Sequence, residues 1–458
     1  MIETAIILAA GRGSKIWPYG DTWPKAALPV ANRPIIRWQI DTLKKCGVKN
    51  IVVVIGHLGG QVRDAVSGQA GVQCMEQKSI GGTADALMIG LAFVKDQEFA
   101  VIYGDVLFAE EDLRSLLQAA PDKETTAALV QPLGANPPHE WLCANLENQR
   151  IAQILGHPRE ASHRLCGAYR LSRAMLPRLA DNPGLMTSVE VGNMPPLESE
   201  LAESISRFIQ NGGTVRAVET KGYFIDIDKP WHLLEANSAM LKDMGLKLLT
   251  NEIAPGAKVE EGAEIAGPVV LGEGTFIGRG VKIKGPLWTG KNVKIVDGAI
   301  VGANTIIGDG AIVREYCKIE PESAIGARCV VGHAAEFGGI LMDGAYSYHY
   351  GEYWGIIGRS ADLGAATVCG NLRFDDQNTL HRIKGRRENP NSHCANASYL
   401  GDYTRTGVNA ILMPGVKVGP YSIIGAGVIL QEDLPNNTLI YVKQELARST
   451  WGPQKYGW

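Results

Sequence analysis

A six-residue period runs through the second half of the chain. Stepping by six from Ile253 gives Val259, Ile265, Leu271, Ile277, Ile283, Thr289, Ile295, Val301, Ile307, Val313, Ile319, Ile325 and Val331. Thirteen of these fourteen residues are aliphatic, far more than ordinary composition would place there. The period is neither that of a helix nor that of simple alternation. It predicts a parallel β-helix, in which each short flat strand puts one aliphatic side chain into a stacked interior column. The register returns at Leu400, Thr406, Leu412, Val418, Ile424 and Leu430. Loop insertions are expected at the two breaks, near 337–358 and 371–397, the second carrying Lys384, Arg386, Arg387 and Glu388. Glycine is abundant, 54 of 458 residues, as tight corners with positive φ would require.

The first half is built differently. Aliphatic segments at Thr4–Leu8, Ile51–Ile55, Phe99–Tyr103 and Thr125–Val130 alternate with helical spacing at Ile35–Cys46 and Ala84–Val94. Such alternation predicts an α/β, Rossmann-like domain with a mostly parallel sheet covered on both faces. Ligands of such sheets sit beyond the carboxyl ends of the strands. The expected organisation is an α/β domain over 1–240, a linker over 241–250, a β-helix over 251–434 and a tail over 435–458.

Composition narrows the partners. With 45 Lys and Arg against 48 Asp and Glu, the formal charge is -3, which gives no electrostatic reason to expect nucleic acid or an anionic membrane. None of the eight cysteines forms a CxxC pair, so free thiols in a reducing compartment are expected, without zinc. The first residues have no basic region ahead of an apolar run, and the expected location is cytoplasmic.

The chemistry begins where the first strand runs into Leu8-Ala9-Ala10-Gly11-Arg12-Gly13-Ser14-Lys15. Such a loop exposes backbone N–H groups to phosphate and allows close approach. It is not the dinucleotide fingerprint, because Ile16 stands where the third glycine would be, and no GKS or GKT follows. Pro24-Lys25 then holds a lysine on a constrained backbone, and Leu28-Pro29-Val30 follows. Further on come Gln77 with Gly82-Thr83-Ala84, Gly104-Asp105, and Asp226 in Gly222-Tyr223-Phe224-Ile225-Asp226-Ile227.

Taken together, these segments over residues 1–240 resemble the sugar-phosphate nucleotidylyltransferases. The resemblance implies that Leu8, Ala10, Gly11, Gly13 and Ser14 hold the triphosphate, and that Lys15 contacts the departing phosphates. It implies that Lys25 touches the sugar phosphate or α-phosphate, and that Gln77, Gly82 and Thr83 read a pyrimidine base. Asp105 and Asp226 match the pair that binds Mg²⁺, and Gly167, Glu198 and Asp226 fall on the sugar side. A sugar 1-phosphate oxygen would attack the α-phosphorus, and the cations would offset the repulsion of the two anions. The sugar pocket departs from the family pattern. Leu155-Gly156-His157-Pro158 replaces a Glu-Lys-Pro element, and Leu165 replaces an Asn.

The whole chain resembles bifunctional enzymes that join a nucleotidylyltransferase to a left-handed β-helix acetyltransferase, with an archaeal-type tail. The match runs through Asn371-Leu372-Arg373, Arg382-Ile383-Lys384-Gly385-Arg386-Arg387, Gly401-Asp402, Thr406-Gly407-Val408-Asn409 and Met413-Pro414-Gly415. It implies a left-handed coil, a homotrimer or dimer of trimers, and acetyl-CoA as a second substrate. His349, Tyr353 and Asn371 would form the acetyl-transfer site, with Lys384 and Arg387 near the CoA phosphates. Tyr348 occupies the matching position of the catalytic His, one residue before His349, and Gln377 replaces a Lys. Two alternatives stay open: a CTP-dependent enzyme acting on a phosphorylated alcohol, and a non-catalytic regulatory or scaffold homologue.

Overall fold

The computed structural model describes residues 2–119, 126–134, 136–189, 196–347 and 349–453. Thr125, Tyr348 and the last five residues of the expected tail lie outside them.

The first half is a nine-stranded sheet. Its strands are β1 (Thr4–Ala9), β2 (Asn50–Ile55), β3 (Val72–Glu76), β4 (Glu98–Tyr103), β6 (Thr126–Pro132), β7 (Leu142–Glu147), β8 (Arg150–Gly156), β9 (His163–Ser172) and β10 (Val215–Glu219). In space they run β3-β2-β1-β4-β9-β6-β10-β8-β7. The block β3-β2-β1-β4 is parallel, and β9 joins it antiparallel to β4. The parallel strands are aliphatic on both faces because apolar clusters cover both: Ile7 and Val53 point into one, Ile6 and Val54 into the other. A small ribbon stands apart, pairing β5 (Val106–Phe108) with β11 (Phe224–Asp226).

The second half is a β-helix of two- and three-residue strands, most of them stacked in parallel on the one eighteen residues later, as Ile277 on Ile295 and Val301 on Ile319. The aliphatic column is its core: Leu271, Ile283, Ile295, Ile307, Ile319 and Ile325 are fully buried. Ile253 and Val259 are exposed because no coil stacks over the first one. Thr289, the one polar residue of the fourteen, is also buried, and its hydroxyl is satisfied by Gly272 N–H at 3.0 Å and Thr275 Oγ1 at 3.1 Å.

One expected loop needs correction, and the glycines prove to have two uses. Gly256, Gly262, Gly274, Gly280, Gly298 and Gly310 turn corners at positive φ as expected, whereas those that follow the column residues are required by stacking. A Cβ on Gly302 would lie 2.4 Å from Pro321 N, and one on Gly308 would lie 2.6 Å from Ala327 N. Many left-handed corners are also held by other residues, such as Asn304, Tyr316 and Arg328. The break near 337–358 is a shortened corner, not a loop. Strands β12 (Ala335–Leu341) and β13 (Gly351–Ile357) each run across two faces of the coil, bending at Gly339 and Gly355, which stack in register. The second break does project. It carries a hairpin of β14 (His381–Ile383) and β15 (Arg386–Glu388) turning at Lys384-Gly385.

The two halves share a core. Helix α1 (Pro230–Lys247) is continuous through most of the 241–250 stretch. Trp231, Leu234 and Met240 from it meet Ile340, Ile356 and Tyr399 of the β-helix, together with Ile16, Tyr19 and Leu28 of the segment after the glycine loop. Asn237 is buried between them. Its carbonyl accepts from Ala31 N–H at 2.9 Å and its amide donates to Glu322 O at 2.8 Å. The junction also buries His381, which faces Trp231 at 4.7 Å, donates from Nε2 to Ala395 O and accepts from Lys417 Nζ at 2.8 Å. Lys417 in turn pairs with Asp433. Burial, reinforced by Lys417, lowers the His381 pKa to about 4.

Gly302→Ala should lower stability by about 1–3 kcal/mol through the forced contact with Pro321. Gly60→Ala, with open space around its Cβ, should stay within about 0.5 kcal/mol; urea midpoints compare the two. The His381 shift sets a pH dependence. Between the unfolded value near 6.5 and the folded value of about 4, the unfolded chain binds more protons. Stability present above pH 6.5 is therefore lost as pH falls through this window, by about 2 kcal/mol at pH 5. Unfolding at pH 7 and pH 5 should show His381→Gln losing less than the native chain, and equal losses would contradict this assignment.

Candidate active site

The site forms beyond the carboxyl ends of β1 and β4, where an open parallel sheet presents its loops. Leu8 lies near the end of β1 and its carbonyl accepts from Gly104 N–H at 2.8 Å, which ties the two strand ends together. Gly104 must be small, since a Cβ there would sit 2.9 Å from Ala9 Cβ. The Ala10 carbonyl accepts from His57 N–H. Gly11 and Ser14 are exposed in the loop. Gly13 turns at φ +62° against the aliphatic stem of Lys25, where a Cβ would lie 2.9 Å from Lys25 Cγ. The loop thus folds directly over the lysine that the Pro24-Lys25 pair positions.

Lys25 is the hub. Its Nζ is 2.9 Å from Asp105 Oδ2 and 3.0 Å from Asp228 Oδ1. Burial works against its charge, but Asp105, Asp228 and Asp226 outweigh burial and raise its pKa. Lys15 reaches the other oxygen of Asp228 at 3.1 Å. The ribbon sets the third carboxylate in place: Asp226 pairs in register with Val106, and Ile227 N–H donates to Asp105 O at 2.9 Å. Burial and the nearby Asp105 and Asp228 carboxylates push the Asp226 pKa up. Asp228 moves the opposite way; burial opposes its charge, and Lys25, Lys15 and Lys229 overcome it.

The sequence-predicted residues divide into groups. Lys15, Lys25, Asp105 and Asp226 converge. Gln77 is buried at the end of β3, with Nε2 donating to Asp85 Oδ2 at 2.7 Å and facing Gly82 O at 3.4 Å. Both partners are acceptors, so the amide nitrogen is spent and Oε1 is the atom left for a base. Gly82 and Thr83 are clamped by the segment holding Glu198. A Cβ on Gly82 would lie 2.5 Å from Ser199 O, and Thr83 Oγ1 donates to Glu200 at 2.8 Å while accepting from Leu201 N–H. The stretch around Glu198 therefore stands beside the Gln77 region. Gly167, at φ +62°, lets the Tyr103 ring approach to 2.8 Å of where its Cβ would be.

Asp228 escaped the sequence reading as a site residue. Its signal was its place two residues after Asp226, just ahead of the helix opening at Pro230. Also unanticipated is Lys229, which is buried, 3.2 Å from Asp228 and 3.2 Å from Glu388 of the β-helix hairpin. A chain of ion pairs thus runs from Asp105 through Lys25, Asp228 and Lys229 into the second half.

The residues matched to acetyl transfer do not assemble in the same way. Tyr353 is interior, stacked on Phe337, and its hydroxyl donates to Ser398 O at 2.9 Å. It supports the coil and also lines the groove that holds Asn371. His349 is exposed in a left-handed turn. Asn371 lines this groove with Glu336, Glu352, Tyr353, Trp354 and His393, so Tyr353 and Asn371 come together, while His349 is not among its walls. Lys384 and Arg387 are exposed on the projecting hairpin.

Fold and site define a nucleotidyl transferase. The family model of that description, Nucleotidyl transferase, matches residues 4–243, and the chain belongs to this family. The kinship extends through the β-helix. The chain is 30% identical over 447 residues to the bifunctional protein GlmU of Methanocaldococcus jannaschii, covering 96% of this chain and 98% of that one. It is 28% identical over 435 residues to a bifunctional sugar-1-phosphate nucleotidylyltransferase/acetyltransferase of Sulfurisphaera tokodaii, covering 94% and 98%. Among the described residues no helix is long and apolar enough to cross a membrane.

Proposed function

We propose that the chain transfers a nucleotidyl group from UTP or dTTP to a sugar 1-phosphate and releases pyrophosphate. The observation that carries this reading is the convergence of Lys15 and Lys25 on three carboxylates beneath the glycine loop. Two anions must meet in this reaction, and both lysines stand where that repulsion would arise. Lys25, held between Asp105 and Asp228, would receive the α-phosphate or the acceptor phosphate. Lys15, on the loop, would follow the departing pyrophosphate. The backbone amides of Gly11 to Ser14 would cradle the triphosphate. No protein nucleophile is needed, because the acceptor's own phosphate oxygen attacks.

A divalent cation fits the donor set. Mg²⁺ characteristically takes one or two carboxylates and completes its shell with substrate phosphates and water. Asp105 and Asp226 offer that pair, brought close by the ribbon, in which Ile227 N–H donates to Asp105 O at 2.9 Å. When bound, Mg²⁺ would supply charge neutralisation at the phosphate oxygens. The base preference follows from Gln77. An acceptor-only Oε1 suits the N3–H of uracil or thymine, whereas cytosine would have to meet it through its N4 amino group.

For the β-helix half, we read scaffold before catalysis, with a homotrimer or dimer of trimers as its assembly. The groove that Asn371 and Tyr353 line is walled by Glu320, Glu336 and Glu352, which is the wrong charge for CoA phosphates, and His349 stands outside it.

Pyrophosphate release should favour UTP or dTTP at least tenfold over ATP and GTP in kcat/KM. Lys25→Ala and Asp105→Asn should each lower kcat about 100-fold or more with the far-UV spectrum unchanged. Rates within threefold of the native enzyme would overturn the assignment. Thiol release from acetyl-CoA, with glucosamine 1-phosphate or galactosamine 1-phosphate as acceptor, should stay at background; robust turnover would show the second half to be catalytic.

A further inference from the structure

A cavity of about 280 Å³ opens beside Asp226, between the nucleotidyl-transfer half and the segment that follows the β-helix hairpin. One wall is Trp141, Arg164 and Glu235; the other is Asn391 and Ser392. It lies just below the usual range of ligand cavities, roughly 300 to 1,000 Å³. Its chemistry is that of a polyol site, with flat aromatic surface beside closely placed hydrogen-bonding groups.

The cavity is built rather than accidental. The Arg164 guanidinium lies 4.4 Å over the Trp141 ring and 4.7 Å over Phe224, and its Nε donates to Gln131 Oε1 at 2.8 Å. It is therefore a fixed wall. Ser392 Oγ donates to Glu235 Oε1 across the gap between the halves, and the Lys229–Glu388 pair fastens the hairpin beside the same opening. Asn391 stands exposed at the rim. The Leu155-Gly156-His157-Pro158 stretch supplies no carboxylate, its His157 ring facing His139 O at 3.0 Å, and Leu165 is core. Hydroxyl recognition in this chain needs another source.

We propose that the β-helix completes the acceptor pocket: Asn391 and Ser392 contact the hydroxyl groups of a phosphorylated sugar seated between Trp141 and Glu235. This rests on the reading of the chain as a sugar-1-phosphate nucleotidylyltransferase. Specificity for the acceptor is then set partly by residues far beyond the transferase fold in the chain. A site that hydrogen-bonds a hydroxyl also rejects acceptors lacking it, because its own polar groups would be left unpaired.

The test compares the full-length native enzyme with Asn391→Ala and Ser392→Ala. Pyrophosphate release is measured on glucose, glucosamine, N-acetylglucosamine, galactose and mannose 1-phosphates. For the best acceptor, each variant should raise the acceptor KM at least fivefold and leave the KM for the nucleoside triphosphate within twofold. The preference ratio between the best two acceptors should shift as well. Unchanged acceptor KM and unchanged ratios, with the native enzyme active, would overturn this inference and leave the functional reading standing. Parallel rises in both KM values would mark a general structural effect and also overturn it. No turnover by the native enzyme on any of the five would overturn the functional reading and this inference with it.

Discussion

One ammonium group organises the catalytic end of the molecule. Lys25 touches Asp105 from the β4 end and Asp228 from the approach to the long helix, while the glycine loop packs on its stem. Without that cation, three carboxylates would face one another in a confined space, and burying unpaired charge is costly. The same arrangement underlies the proposed binding of a nucleotide's phosphates and a divalent ion. It gathers three acidic groups around two lysines, and its glycine loop offers backbone N–H groups.

Much of the fold was legible because stacking imposes a strict repeat on sequence. Every coil must deliver one side chain to the same interior column, and the chain reports this at Ile277, Ile295, Val313 and Val331 without ambiguity. The repeat does not say what its glycines are for. Gly302 and Gly308 sit under the next coil's backbone, a demand visible only when the coils are stacked. Nor can a period distinguish an inserted loop from a shortened corner, which is what Gly339 and Gly355 produce.

The transferase site was legible to the extent that its groups lie in short motifs. Lys15, Lys25, Asp105 and Asp226 come together as their motifs imply. Asp228 and Lys229 were missed because their importance comes from partners far away in sequence, Glu388 above all. Docking between two halves leaves no periodic trace. The buried Trp231, Tyr399 and Ile356 read as ordinary core residues of their own halves. Tyr353 shows that one residue can belong to both coil and groove: its hydroxyl donates to Ser398 O inside the coil while it lines the groove that holds Asn371.

The shared core also orders events in time. The segment just after the glycine loop rests on groups very distant in the chain: Tyr19 on Ile356, Trp23 on Asp402 and Trp17 on Asn436. These pairs are 337, 379 and 419 residues apart. At a synthesis rate of about 5–20 residues per second, the partners emerge roughly 20–80 s after the loop itself. The sheet can form early on the ribosome, but the floor of its glycine loop is laid last. A nascent chain therefore passes through that interval with Trp17, Tyr19 and Trp23 still lacking their β-helix partners.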